Sequence, residues 1–382
     1  MASSRIWLSS PHMGGSELQY VSEAFSGNWI APLGPNVTGF EEDLQGYLEN
    51  DVLVAALSSG TAAIHLGLIL LGIGAGDEVL CQSFTFAASA NPILYLGATP
   101  VFIDSEPDTW NICPFVLEQA IIDRIAKGKK TKAIIAVHLY GMPYKVDEVA
   151  KIAAKYDIPI LEDSAEALGS TYKNRKCGTF GDVAALSFNG NKIITTSGGG
   201  ALVTKSKNLK EKAIYLATQA RENKPYYEHT EIGYNYRMSN ISAGVGRGQM
   251  EVLAKHIALR REMHAFYRLI LEDVNGVTVF TEFSADYFSN FWLTTILVNP
   301  KLTNGVTADD IRIKLLEDNI EARRLWKPMH LQPVFKNHPY YGANVCETLF
   351  DTGLCLPSGS NLQHQDKERI KVALQKALGY FA

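Results

Sequence analysis

The chain has too few cysteines, and too scattered, to staple itself. Cys81, Cys113, Cys177, Cys346 and Cys355 are odd in number and form no C-x-x-C pair, so a disulfide framework or a structural zinc site is not expected. An excess of positive charge is also missing. The formal net charge is -4 over 382 residues, which excludes a broad basic face for nucleic acid or anionic membrane but leaves room for a local anion pocket. Long apolar runs are absent. The longest, Ala62 to Ile73, is broken by His65, Gly67 and Gly72 and is too short to span a bilayer. The opening Met-Ala-Ser-Ser-Arg lacks the apolar stretch of a secretory leader, and reduced thiols then point to a cytoplasmic protein.

What is present is an ordinary globular composition, 46% apolar and 20% charged, long enough for two domains sharing an interface. Between about residues 50 and 205, short β-branched runs (Glu78–Cys81, Pro100–Ile103, Lys132–Val137, Pro159–Leu161, Val183–Phe188, Ala201–Thr204) alternate with helical stretches such as Thr61–Leu71 and Val146–Tyr156. That alternation predicts an α/β domain with a mainly parallel sheet covered by helices. A long helix over Ile241–Leu271 leads into Val277–Val279, Trp292–Val298, a helix over Ala308–Asn319 and a last helix over Gln365–Leu378. We therefore expect a large domain over 1–250 and a smaller C-terminal α+β domain over 251–382.

In parallel sheets ligands gather beyond the carboxyl ends of the strands. The segments that follow the runs are Ser58-Ser59-Gly60-Thr61, Ser83-Phe84-Thr85-Phe86, His138-Leu139-Tyr140-Gly141, Glu162-Asp163-Ser164 and Asn189 to Lys192. Each alone admits a plain reading. Ser58–Thr61 is either a helix N-cap or, through its free amides, a phosphate cradle. Asp163 at a strand end can cap a helix, bind a metal or pair with a cationic nitrogen. Lys192, among small residues and ahead of Ser197-Gly198-Gly199-Gly200, is a solvated lysine, a counterion or a covalent anchor.

Taken in order, Ser-Gly-Thr, Phe-Thr-Phe, His-Leu-Tyr-Gly, Glu-Asp-x-Ala, Ser-Phe…Lys…Gly-Gly-Gly and Gly-Tyr-Asn-Tyr-Arg-Met make the chain similar to the DegT/DnrJ/EryC1/StrS sugar aminotransferases, from Trp29 to Gly359. The resemblance implies the fold type I architecture of pyridoxal 5′-phosphate (PLP) enzymes. Lys192 would hold the cofactor as a Schiff base, Asp163 would pair with its ring nitrogen, and Phe86 would stack on the ring. Gly60, Thr61 and Ser187 would take the phosphate, with Asn235 reaching in from the second subunit of a homodimer. L-Glutamate and a nucleotide-linked keto sugar would be the substrates, with no metal. Candidates for the sugar-nucleotide side are His12, Trp29, Arg237, Trp326 and His330, and Lys327 is a further local donor.

One position departs from the family pattern. Many members carry Gln three residues after the ring-binding Asp, where this chain has Glu166; beside a phenolate oxygen, burial should raise its pKa and keep its proton. Glu166, the Asn189-Gly190-Asn191 lead to Lys192 and Ser9-Ser10-Pro11-His12-Met13-Gly14 resemble the bacillosamine-pathway enzymes, which aminate UDP-2-acetamido-4-keto-2,6-dideoxyglucose. A GDP- or dTDP-linked keto sugar is the alternative substrate. A sugar dehydratase of the same fold would carry His in place of Lys192, and a non-catalytic binding or regulatory module would show a damaged site; neither feature is present.

Overall fold

The computed structural model describes residues 4–49 and 51–379; the reading of the first three residues as leader-free lies outside them. Strands Leu53–Leu57 (β1), Glu78–Gln82 (β2), Thr99–Ile103 (β3), Thr131–Val137 (β4) and Ile160–Asp163 (β5) form part of one large sheet. A small hairpin, Thr171–Tyr172 (β6) and Arg175–Lys176 (β7), precedes Val183–Ser187 (β8) and Gly200–Thr204 (β9). Beyond the 32-residue helix Asn240–Leu271 come Val277–Val279 (β10), Tyr287–Phe288 (β11), Thr294–Val298 (β12), Arg323–Arg324 (β13), Tyr340–Tyr341 (β14) and Gly353–Leu356 (β15).

The large sheet runs β1-β9-β8-β5-β4-β2-β3-β14. All of its pairings are parallel except those of β9, which is antiparallel to both β1 and β8. The expected mainly parallel sheet is what forms. Side chains alternate along each strand. In β4, Ala133, Ile135 and Val137 join the core under helices Gly60–Leu70, Ala87–Tyr95 and Lys207–Ala217, while Ile134 and Ala136 join the core under Pro114–Ala126 and Val146–Tyr156. Both faces are therefore covered, and ligand access is left to the strand ends.

The second sheet, β10-β12-β15-β13, is antiparallel and packs on helices Ala308–Glu317 and His364–Leu378. The long helix serves both regions. Leu253 and Ile257 belong to the core beside β1 and β8, and Met263, Tyr267 and Leu271 belong to the core of the second sheet. Two further segments cross between the regions: Ile6 bridges to Ile320 and enters the second core, and β14 extends the large sheet beside β3. Among the described residues no helix is long and apolar enough to cross a membrane.

Candidate active site

The carboxyl ends of β1, β2, β4, β5 and β8 open on one cavity of about 300 Å³. After β1, extended Ser59 caps the helix Gly60–Leu70, its hydroxyl accepting from the Ala62 amide at 3.0 Å. That bond leaves the amides of Gly60 and Thr61, both in the cavity wall, without a partner among the described residues. Glycine is needed at position 60 because a Cβ there would fall 2.9 Å from the Ser187 Cβ, at the end of β8. Gly200 approaches from β9, and a Cβ on it would stand 2.3–2.4 Å from Ser59 and Gly60 backbone atoms. Two free amides at a helix N-terminus with the Ser187 hydroxyl beside them make an anion cradle.

Asp163 closes β5. Its Oδ2 accepts from Ser89 Oγ at 2.6 Å and its Oδ1 from the Ala165 amide at 3.2 Å. Burial pushes its carboxyl above the ordinary range, against the pull of those two donors and the Lys192 charge. A cationic partner in the cavity would favour its ionised form. Ser89 is itself tied to Thr85 Oγ1 at 2.8 Å, so the Ser83–Phe86 segment reaches Asp163 through one hydroxyl chain. Phe86 is 53% exposed at the cavity, 5.4 Å from the Trp326 ring.

Lys192 enters the same cavity from the loop between β8 and β9. Its Nζ lies 3.4 Å from Glu166 Oε1 and 4.0 Å from the centroid of the Trp292 ring. The other oxygen of Glu166 accepts from the Tyr140 amide at 2.7 Å. Burial, reinforced by the Asp163 charge, raises the Glu166 carboxyl; Lys192 and the Tyr140 amide oppose the rise. Tyr140 is buried in a left-handed conformation, φ 54°. Its amide is bound to Glu166, and its hydroxyl accepts from the Trp326 amide at 2.9 Å.

Gly60, Thr61, Phe86, Asp163, Glu166, Ser187, Lys192 and Trp326 are thus brought to one cavity. The other candidates are not. Asn235 bridges to Thr218 and accepts from Gln219 Nε2 at 3.2 Å, away from the cavity of its own chain. Trp29 is 43% exposed beyond the helix Glu17–Ser26. His12 stacks on His256 and meets Ser360 Oγ at 3.1 Å, lining a separate groove with Lys255 and Lys367. Arg237 is largely out of water, and its Nη1 donates to Glu41 Oε1 at 2.6 Å and to the Ala56 carbonyl at 2.9 Å. His330 is held between Ser83 Oγ (2.7 Å) and Glu347 Oε1 (3.2 Å) and stacks on Tyr340, so it fastens the Trp326 segment to Ser83 without lining the cavity. Ser89 and Trp292 line the cavity, and Tyr140 holds Glu166 and Trp326 from behind its wall; sequence reasoning singled out none of the three, and only Tyr140 lay in a segment marked as a candidate site.

The family model for the DegT/DnrJ/EryC1/StrS aminotransferase family matches residues 11–375. EpsN of Bacillus subtilis (strain 168), by its name a candidate pyridoxal phosphate-dependent aminotransferase, is 52% identical over 96% of this chain and 94% of its own. The GDP-perosamine synthase of Escherichia coli O157:H7 is 36% identical, covering 93% of each chain. Among solved structures, Helicobacter pylori PseC, an aminotransferase of pseudoaminic acid biosynthesis, superimposes with a TM-score of 0.89 at 26% identity, over 99% of this chain and all of its own.

Proposed function

The chain belongs to the DegT/DnrJ/EryC1/StrS aminotransferase family and is a PLP-dependent sugar aminotransferase; within that class we propose that Lys192 anchors the cofactor and that C4 of UDP-2-acetamido-4-keto-2,6-dideoxyglucose receives the amino group of L-glutamate. The observation that carries the anchor is Lys192 Nζ in a cavity whose other walls are the Gly60–Thr61 amides and the Asp163 carboxyl. These residues fit the cofactor at both ends, an anion cradle at one and a buried acid in need of a cation at the other.

When bound, PLP supplies an electron sink for charge developing on the donor's α-carbon. The chain's residues hold it in place and move protons. The amides of Gly60 and Thr61 and the hydroxyl of Ser187 take the phosphate. Asp163, steadied by Ser89, keeps the ring nitrogen protonated, and Phe86 covers the ring. Lys192 Nζ would anchor the cofactor and, as general base and acid, would carry the proton to and from the donor's Cα. Burial raises the Glu166 carboxyl toward its protonated form, in which it would donate toward the cofactor's phenolic oxygen as Gln does elsewhere in the family.

Asn235 has no role in its own cavity, which supports a homodimer in which it reaches the phosphate of the neighbouring chain. Exposed Trp29, Ile30, Leu33 and Ile232 favour such burial against a second copy. Five free cysteines suit a reducing cytoplasm.

The sugar assignment rests on Glu166, on Asn189–Asn191 and on the N-terminal segment, whose Ser9 hydroxyl donates to the Asn191 carbonyl at 2.7 Å beside Lys192. A GDP-linked 4-keto-6-deoxymannose is the second reading, favoured by the match to GDP-perosamine synthase. With saturating L-glutamate, the UDP-2-acetamido sugar should show a specificity constant about ten- to a hundredfold above the GDP- and dTDP-linked keto sugars, the worth of one buried amide hydrogen bond. A GDP or dTDP sugar turned over with the higher constant removes the substrate and leaves the enzyme class standing.

A further inference from the structure

Arg260, midway along the helix Asn240–Leu271, is 1% exposed and forms no ion pair among the described residues. Burial alone brings its pKa down to about 9. A buried guanidinium without a carboxylate is costly, so its partners matter. Nη1 donates to the carbonyls of Trp292 (2.7 Å) and Ser358 (3.2 Å). Nη2 donates to Ser9 Oγ (2.9 Å) and to the carbonyl of Lys192 itself (3.3 Å). One planar fork thereby joins four separate stretches of chain, which a point-charge lysine cannot match.

The same groups close a second set of bonds around the preceding residue. The Asn191 carbonyl accepts from Ser9 Oγ at 2.7 Å and from Trp292 Nε1 at 2.6 Å. Consecutive carbonyls, of Asn191 and Lys192, are therefore fixed from outside their loop. The loop has no helix or strand of its own here, and within it the Lys192 amide makes a single turn bond to Asn189. The Trp292 ring that faces Lys192 Nζ belongs to the residue whose carbonyl Arg260 holds.

We infer that Arg260 is a positioning residue, locking the Asn191–Lys192 turn and the Trp292 ring against one rigid helix so that the lysine amine enters the cavity in a single orientation. The inference rests on the reading of Lys192 as the cofactor anchor. Its effect lies on the step in which the amine attacks, since reaction rates fall steeply with small misplacements of the reacting atom. Cofactor capture by the Gly60–Thr61 cradle does not depend on it.

Stopped-flow mixing of cofactor-free, full-length protein with pyridoxal phosphate, followed by visible absorbance, separates concentration-dependent capture from the slower attachment to Lys192. In Arg260→Met the attachment rate constant should fall about tenfold or more while capture affinity stays within about twofold. Arg260→Lys should recover part of the rate. Ser9→Ala, which removes one member of the network near the surface, should slow attachment about threefold and decides the matter if Arg260→Met fails to fold. Attachment at the parent rate in Ser9→Ala or in folded Arg260→Met overturns the inference. So does loss of capture affinity with the attachment rate unchanged, which would reduce Arg260 to packing. Failure of the parent protein to attach the cofactor would instead refute the Lys192 reading, a result distinguishable from either.

Discussion

Replacing Glu166 by glutamine and by alanine separates its two duties, accepting from the Tyr140 amide and facing Lys192. Alanine leaves a buried N–H without an acceptor, worth about 1–3 kcal/mol of stability. It also unties Tyr140, whose left-handed backbone persists only because neighbours hold it. Because the Tyr140 hydroxyl accepts from Trp326, the cavity wall shifts with it, and the rate should fall at least about tenfold below that of the glutamine variant. Glutamine keeps the acceptor and can still donate, so it should retain substantial activity. Their pH dependence differs by sign. The folded-state pKa of Glu166 is raised, so the folded state holds the proton more tightly. The stability this contributes is complete below the ordinary glutamate value, about pH 4, and is lost as pH climbs through the raised folded value. Glutamine cannot ionise. Urea unfolding of cofactor-free protein should therefore show the Glu166→Gln difference moving in the variant's favour as pH rises above the ordinary glutamate value of about 4.3. A flat difference refutes the raised carboxyl. A well-folded Glu166→Gln as inactive as a Lys192 variant would mean that the carboxylate itself moves protons.

Lys192→Ala should abolish both turnover and the visible absorbance of the bound cofactor, read by a titration with pyridoxal phosphate; Lys192→Arg, which keeps the charge, should do the same. Mixing inactive Lys192→Ala with inactive Asn235→Asp should restore activity in heterodimers, and a fully active monomer in sedimentation at assay concentration would refute the shared site. Arg237→Met should cost about 3 kcal/mol in chemical denaturation by stranding buried Glu41, with KM for the nucleotide sugar within about twofold of the parent.

Much of this site was legible because its residues follow strands, and strand ends can be read from β-branched runs. Asp163 and the Asn189–Lys192 segment each follow a β-branched run, and the structure gathers them with Ser58–Thr61 at one end of the sheet. β1 itself was missed, because Ala55-Ala56 dilutes its signal. Trp292 was read as the start of a strand, but that strand begins at Thr294 and the indole is free to turn to the lysine. Arg237 and Arg260 were illegible for a different reason: what a cation does depends on partners such as Glu41 and Ser9, far away in sequence and marked by no motif. The reversal of β9 had a signal that went unused. No crossover helix lies between β8 and β9, and a parallel return requires one.

That reversed strand also fixes when the enzyme can acquire its shape. β9 is hydrogen-bonded between β1 and β8, and Leu53 pairs with Thr204 across the length of the domain. Its first residue, Gly200, is what abuts the Ser59–Gly60 turn. A chain leaving the ribosome N-terminus first holds the helix that would greet a phosphate long before it holds the strand that seats it. So distant a pairing comes late in folding, after the cost of closing a long loop has been met. A cradle whose wall is complete only with β9 in place is a property of the folded sheet, so pyridoxal phosphate bound there would add to stability by mass action.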